Sequence, residues 1–326
     1  MEVRFVTASG VEPGKLDQLP DLLARDDGFV WADLAAAEPD AEHVLADVFR
    51  FHPRAVRDCL ERNSVPKAHA YADHVLVVLH APQPGQGGHV HYVELDLLVG
   101  RRYLVTVHGP VNPAVPEDAM YVETRAVAGR LDAGRLRPAA PYELSSSIVS
   151  ALTARMREDL AERTQDVWRF EQEVTGGKMG DVEQYLDGMF RVRHGLLVVR
   201  TMATTSHEIY GRLLALEVYG EEGQRHLNNS YDQFGRLAIM AHSQEEYLQG
   251  VIEFFQTRSN TKMTIAAERL AVIAAVTLPI TALSSVMGMN VIVNTSSDPT
   301  FLTVLLVIMV AMSVLLLIWA RRMGWW

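Results

Sequence analysis

Cysteine is almost missing from this chain, since Cys59 is the only one among 326 residues. A single thiol excludes a disulfide framework and a thiolate metal site within one chain. Cys59 lies in an apolar stretch with helical periodicity, where the expected role is that of a small buried hydrophobe. The apolar stretch of a signal peptide is also missing after Met1, so no cleaved signal peptide is expected.

Basic residues are scarce as well. Lys and Arg number 30 against 40 Asp and Glu, which leaves a net charge of -10. Nucleic-acid binding requires basic surfaces, so nucleic acid is excluded as a partner. An acidic surface suits cation binding, but it is also an ordinary property of soluble proteins. A P-loop, a Cys/His zinc pair with standard spacing and a nucleophile elbow are all missing, so no enzymatic activity is expected.

Charge of either sign almost disappears from Leu270 onward. The segment from Leu270 to Met287 has no charged residue, and the segment from Phe301 to Ala320 is more apolar still. About 20 apolar residues suffice to cross a hydrocarbon core of roughly 30 Å. The alternative is a buried helix of a soluble protein, but such a helix is rarely apolar on every face. The sequence therefore predicts two transmembrane helices.

The two segments differ in kind. The first contains hydroxyl residues and Pro279, and small or hydroxylated residues belong at helix contacts or along a wet pathway. The second is apolar all round, as a lipid-facing helix should be. Two helices cannot enclose an ion path alone, so a pore requires several subunits around an axis.

Basic residues predict the orientation of these helices. Arg258, Lys262 and Arg269 precede the first segment, Arg321 and Arg322 follow the second, and Asp298 is the only charge between them. The positive-inside rule then places both termini in the cytoplasm.

The first 140 residues predict an α/β domain. Its helical patterns lie around Leu16–Arg25, Ala41–Val48 and Arg54–Arg62, and Pro82–Gly88 is predicted as a turn. The predicted strands are Val3–Thr7, Phe29–Ala32, Ala72–His80, Val90–Val99 and Tyr103–Val107.

Strand signals stop after Pro141, and three long helical stretches follow, with Gly176-Gly177 and Gly220–Gly223 as breaks. The third runs from about Gln224 to Met289, and about 65 residues give a helix near 100 Å long. Such a helix can connect a cytosolic domain to a pore, or it can be a coiled-coil stalk without a signalling role.

The predicted divisions of the whole chain are 1–140, the α/β domain; 141–222, antiparallel long helices; 223–269, a stalk helix; 270–290, the first transmembrane helix; 291–300, an extracytoplasmic loop; 301–320, the second transmembrane helix; and 321–326, a cytosolic basic-aromatic tail.

The first membrane segment ends in Gly288-Met289-Asn290, and Pro279 and Thr281 lie upstream of it. A Gly-Met-Asn motif at this place resembles the signature of the CorA family of magnesium transporters. The segments Phe51–Asp58 and Leu95–His108 also look like bacterial members of that family. The resemblance covers essentially the whole chain.

This resemblance implies a funnel-shaped homopentamer in the bacterial inner or plasma membrane, surrounded by lipids. The first membrane helix would line the pore and the second would form an outer ring. The transported ion would be Mg²⁺, with Co²⁺ or Ni²⁺ as further substrates, moving passively into the cytoplasm, and cytosolic Mg²⁺ would also regulate the pore. No organic cofactor is implied. A sister branch, resembling ZntB, moves Zn²⁺ instead.

The sequence departs from the family pattern at three places. The loop after Asn290 lacks the usual Met-Pro-Glu, and Asp298 is its only acid. Met287 stands where an aromatic residue is usual. Asn229 falls on the position of a regulatory aspartate, with Asp232 one turn later.

Gly288, Met289 and Asn290 are the predicted selectivity filter. Mg²⁺ gives up its waters reluctantly, so an uncharged ring of Asn oxygens would accept hydrogen bonds from the hydrated ion. The alternative role of Asn290 is to cap the helix, with Gly288 easing the turn.

Below the filter, one helical face is predicted to line the pore. Thr281 could offer a second polar ring, whereas Leu270 and Leu278 could gate by dewetting or could simply pack. The face comprises Thr264, Leu270 or Ala271, Ala274, Thr277 or Leu278, Thr281 and Gly288.

Candidate regulatory ligands for Mg²⁺ are Asp232 and Asn229 on the stalk. Asp73, Glu94 and Asp96 are weaker candidates, since they could be solvated strand residues. His89 and His91 share one face of a strand and could bind a metal, or could form an ordinary surface pair. A non-conducting sensor or scaffold tethered to the membrane is the alternative of another class.

Overall fold

A computed structural model describes residues 1–177, 181–288 and 299–322. The chain divides into two compact units, Met1–Val251 and Ile252–Trp326. The first unit contains a sheet and long helices. The second contains the C-terminal part of one long helix and the last helix of the chain.

The first unit is built on a seven-stranded sheet in the order β2-β1-β3-β7-β6-β5-β4. Strands β3 and β7 are parallel, and every other neighbouring pair is antiparallel. The strands are β1 Glu2–Thr7, β2 Val11–Gly14, β3 Gly28–Ala35, β4 Lys67–Ala70, β5 His74–Pro84, β6 Val90–Gly100 and β7 Tyr103–His108.

All five predicted strands are present, and the α/β prediction is confirmed. Two short edge strands, β2 and β4, were not predicted, because VEPG and KAHA contain few β-branched or aromatic residues. The turn predicted at Pro82–Gly88 is wrong at its start, since β5 continues to Pro84 and Pro82 pairs with Tyr92. Proline is tolerated there because β4 pairs with β5 only as far as Val78, which leaves one edge of Pro82 without a neighbouring strand.

Short helices pack on one face of the sheet. They are α1, Leu19–Ala24; α2, Ala41–His43, which continues as a π turn to Val48; and α3, Pro53–Leu60. Their apolar side chains form a core with the inward residues of the central strands. Cys59 is fully buried in this core, as predicted. A further helix, α4, Val122–Asp132, was not predicted.

Long helices complete the chain. They are α5, Pro141–Gly176; α6, Val182–Ala215; α7, Gly220–Gly288, with 69 residues; and α8, Pro299–Arg322. Helix α5 packs on β5, β6 and β7, and α6 packs on α5 and on β4 and β5. The break predicted at Gly220–Gly223 is displaced, because the chain turns before Gly220, where Glu217 and Gly220 adopt positive φ values of 49° and 65°. Gly223 already lies within α7, and a Cβ added to it would overlap the side chain of Tyr219.

Candidate ion pathway and metal-binding residues

Two helices are long and apolar enough to cross a membrane. The apolar stretch of α7, which reaches Val286, has a mean hydropathy of 1.7, and that of α8, Thr303–Arg322, has 2.8. Neither stretch is covered within the chain, since 0% and 6% of the respective windows are buried. Apolar helices this exposed require either lipid or other helices around them.

The residues predicted to line a pore lie on one uninterrupted helix. Thr264 and Thr281 are exposed, Ala274 is half-buried, and Leu270 and Leu278 are 67% and 66% exposed. Thr264, Ala271, Ala274, Leu278 and Thr281 follow steps of three, four and seven, so they form one stripe along α7. Leu270 lies beside this stripe, next to Ala271.

The hydroxyl groups of three threonines in this helix donate hydrogen bonds to backbone carbonyls four residues earlier. Thr264 donates to the carbonyl of Asn260 at 3.0 Å, Thr277 to Ile273 at 2.8 Å and Thr281 to Thr277 at 2.8 Å. A hydroxyl has one hydrogen and two lone pairs, so each oxygen remains available only as an acceptor. The waters of a hydrated cation present hydrogens outward, and acceptor oxygens match that pattern.

Pro279 adds a further acceptor to the same stretch. Proline has no N–H, so the carbonyl of Ala275 lacks its regular partner four residues later. This carbonyl lies about one and a half turns before Thr281.

The predicted filter lies largely outside the described residues. Gly288 is the last residue of α7, whereas Met289, Asn290 and most of the following loop are not described. The filter assignment therefore stays a prediction.

Asp232 and Asn229, the stalk candidates for a regulatory cation, are both exposed on α7. Their spacing of three residues places them on the same side of the helix. Both side chains are therefore accessible to an ion or to a neighbouring copy of the chain.

The strand candidates differ sharply in burial. Asp73 is exposed and bonds Nδ1 of His74 at 2.7 Å. Glu94 is 6% exposed and accepts a 2.8 Å hydrogen bond from the backbone N–H of Asn63, and Asp96 is fully buried. Of these three, only Asp73 is solvated, and it lies just before β5 and not within a strand.

Burial also changes the chemistry of the two strand acids. It raises the pKa of Glu94, and it raises the pKa of Asp96 well above its usual range, with the charge of Glu94 acting in the same direction. Both oxygens of Asp96 lack a clear hydrogen-bond partner, although the carboxyl group neighbours the thiol of Cys59. Asp96 is thus enclosed within one chain.

His89 and His91 lie close together at the start of β6, with ring centroids 4.7 Å apart, and His194 of α6 is 6.4 Å from His89. Within residues 1–177, 181–288 and 299–322, no three His, Cys, Asp or Glu side chains are arranged to hold a metal ion. The three rings are therefore neighbours without a formed metal site.

The sequence profile of the CorA-like Mg²⁺ transporter protein family matches residues 26–322, which is nearly the whole chain. The chain belongs to the CorA-like family. Members are channels or transporters of metal ions in membranes, and the prediction that the chain is not an enzyme is confirmed.

Individual relatives are distant in sequence. A putative metal ion transporter of Bacillus subtilis, YfjQ, is 22% identical over 271 residues, which cover 81% of this chain and 79% of that protein. The full-length CmaX protein has a similar structure, with a TM-score of 0.78, 17% identity and coverage of 100% of this chain and 98% of the other. The CorA magnesium transporter of Methanocaldococcus jannaschii gives a TM-score of 0.81 at 14% identity, with coverage of 100% and 99%.

The cytoplasmic domain of ZntB from Vibrio parahaemolyticus is similar as well, with a TM-score of 0.61, 13% identity and coverage of 80% and 98%. At such identities the structures establish the fold alone. The CorA-like fold, with a sheet-containing N-terminal domain, long helices and apolar C-terminal helices, is thus confirmed.

One polar group of this CorA-like protein was missed in the sequence. Glu245 of α7 faces two arginines of α6, with Oε2 at 3.3 Å from Arg200 and Oε1 at 3.8 Å from Arg193. The spacing of seven between Arg193 and Arg200 puts both on one side of α6 and could have drawn attention to this face.

Proposed function

We propose that the chain forms a homopentameric, passive pathway that carries Mg²⁺ into the cytoplasm of a bacterium. The proposal rests on the polar character of the first membrane segment, in a chain that belongs to the CorA-like family. This segment is less apolar than α8. The hydroxyl groups of its threonines donate to backbone carbonyls of α7, so their oxygens can only accept further hydrogen bonds. A simple membrane anchor has no need of such a surface, which argues against a non-conducting sensor or scaffold.

The membrane potential supplies the driving force in this proposal. Moving one charge across 100 mV is worth about 2.3 kcal/mol, so a divalent cation gains about 4.6 kcal/mol without ATP. The basic residues on either side of the membrane segments support a topology with both termini in the cytoplasm.

The filter would be a ring of Asn290 side chains, one from each subunit, with Gly288 and Met289 shaping the backbone beside it. Amide oxygens would accept hydrogen bonds from the inner waters of Mg²⁺, so the ion could enter without losing them. Further along α7, Thr281 and Thr264 would continue the acceptor surface, whereas Leu278 and Leu270 would form the apolar constrictions.

Regulation would come from cytosolic Mg²⁺ bound between neighbouring subunits. Asp232 is the proposed ligand, and the uncharged Asn229 beside it would weaken each site. Asp73, which is also exposed, is a second candidate. Glu94 and Asp96 are disfavoured for this role by their burial within one chain.

Zn²⁺ is the second candidate substrate. It is favoured by the structural likeness to the ZntB cytoplasmic domain and by the neighbouring His89, His91 and His194. Imidazole nitrogens prefer Zn²⁺ to Mg²⁺.

The deciding experiment is uptake of Mg²⁺ and of Zn²⁺, each with its own fluorescent dye, into proteoliposomes that contain the full chain. Mg²⁺ uptake that exceeds Zn²⁺ uptake is expected, together with a loss of nearly all uptake in Asn290→Ala at unchanged oligomer size. Asn294→Ala, in the adjacent loop, is the matched control and should transport normally. Normal Mg²⁺ flux through correctly assembled Asn290→Ala would refute the filter, and preferential Zn²⁺ flux would establish the second candidate.

A further inference from the structure

A histidine on the long helix α7 accepts a hydrogen bond from a permanently charged group. Nη1 of Arg200, on α6, lies 3.1 Å from Nδ1 of His242. A guanidinium group has only N–H donors and no acceptor, and it keeps its charge at every physiological pH. Nδ1 of His242 must therefore be the unprotonated nitrogen, and the ring must be neutral in this arrangement.

The other ring nitrogen faces an acid of the same helix. Nε2 of His242 lies 3.6 Å from Oε1 of Glu246, four residues later. The hydrogen of the neutral ring is thus on Nε2 and is directed towards a carboxylate. Protonation would place a second hydrogen on Nδ1, where it would meet the N–H and the charge of Arg200.

The charged groups in contact with His242 come from α6 and α7. Helix α6 contributes Arg200, and α7 contributes Glu246. Arg200 also pairs with Glu245 at 3.3 Å, and Glu245 lies 3.8 Å from Arg193. A protonated His242 could keep Glu246 as its partner, while Arg200 would keep only Glu245.

We propose that the Arg200–His242 contact is a pH-sensitive latch between α6 and α7, closed while His242 is neutral and released when it gains a proton. The ring is 52% exposed, so protons reach it directly from the solvent. Histidine is the side chain that ordinarily changes its charge between pH 5 and 8. Acidification would therefore remove one of the polar links that hold α6 on α7.

The consequence for transport rests on the proposed function. Helix α7 continues from His242 to Gly288 without interruption and contains the proposed pore-lining residues. A latch that holds α7 on α6 resists displacement of α7, so its release should favour movement of the pore-lining helix. Ion flux is therefore expected to rise when the cytosolic side becomes acidic.

The first test does not depend on transport. Hydrogen-exchange protection factors, corrected for the intrinsic effect of pH, are measured on the full-length protein in detergent at pH 7.5 and 5.5. Protection of the α6 segment around Arg200 should fall several-fold at pH 5.5 in the wild type. In His242→Gln it should not change, because glutamine keeps an acceptor oxygen and a donor but does not titrate. His43→Gln, an exposed histidine of α2, is the matched control and should behave as the wild type.

Mg²⁺ uptake into proteoliposomes is the second readout, with the pH set on the side of the large domain. A several-fold faster uptake at pH 5.5 that disappears in His242→Gln is expected. An unchanged pH dependence of α6 protection in His242→Gln, or no pH dependence in the wild type, would overturn the latch. If α6 protection responds as expected but no variant takes up Mg²⁺, the latch stands and the proposed function fails.

Discussion

Asp96 lies fully buried in the middle of β6 with no clear partner for either carboxyl oxygen, and its replacement by Asn should change how stability depends on pH. Burial raises the pKa of Asp96 well above that of an unfolded chain, which is about 3.9. Between these two pKa values the folded protein holds one proton more than the unfolded chain. The free energy of unfolding therefore falls as pH rises through this range.

The change of the free energy of unfolding with pH follows from the difference in bound protons between the folded and unfolded states. One proton of difference corresponds to about 1.4 kcal/mol per pH unit, beginning near pH 4 and ending at the pKa of Asp96 in the folded protein. Asn has nearly the shape of a protonated Asp but binds no proton, so Asp96→Asn should lack this contribution. Relative to the variant, the wild type should lose about 1.4 kcal/mol for each unit of pH until the folded pKa is passed.

The assay is urea unfolding of the full-length protein in detergent at intervals from pH 5 to pH 8, followed by tryptophan fluorescence, to which the buried Trp31 contributes. The quantity of interest is the difference between wild type and Asp96→Asn, because titrating groups that do not interact with Asp96 contribute equally to both. Asp21→Asn, an exposed substitution on α1, is the control and should give a curve parallel to the wild type. Parallel curves for wild type and Asp96→Asn would refute the protonated, buried carboxyl group.

Three further predictions concern the pore, the stalk and the helix packing. Cobalt hexammine, which imitates a hydrated cation but cannot release its ligands, should block uptake from outside by docking at Asn290; uptake that persists at saturation would mean that the entrance does not recognise a hydrated ion. Protease protection of the large domain should rise with Mg²⁺ in the wild type and require more Mg²⁺ in Asp232→Ala, whereas superimposable titrations would remove Asp232 from the proposed sensor. Gly195→Ala should destabilise the protein by about 1–3 kcal/mol, because the added Cβ would overlap the guanidinium group of Arg163 and disturb its bonds to Asp159. Gly129→Ala, where a Cβ meets nothing within 4 Å, is its control in another helix and should be neutral or stabilising in thermal unfolding.

Local patterns in the sequence sufficed for much of this protein. Runs without charge predicted both apolar C-terminal helices, and the end of the strand signals after Pro141, together with the glycine breaks, predicted α5, α6 and the long α7. The motif at Gly288, with its place at the end of a membrane segment, led to the CorA-like family. Each of these inferences depends on residues that are near one another in the chain, and such residues determine helix formation and membrane partition directly.

The tertiary structure decided what depends on residues far apart in the chain. Pro82 looked like part of a turn, but it lies within β5, at a position that β4 does not reach. Asp73 and Asp96 look alike as strand acids, yet one is exposed and the other is enclosed, because α3 and the neighbouring strands cover only the second. The state of His242 follows from Arg200, 42 residues away. A sequence shows that a side chain can ionise or donate, but burial and the partner that folding places beside it determine whether it does so.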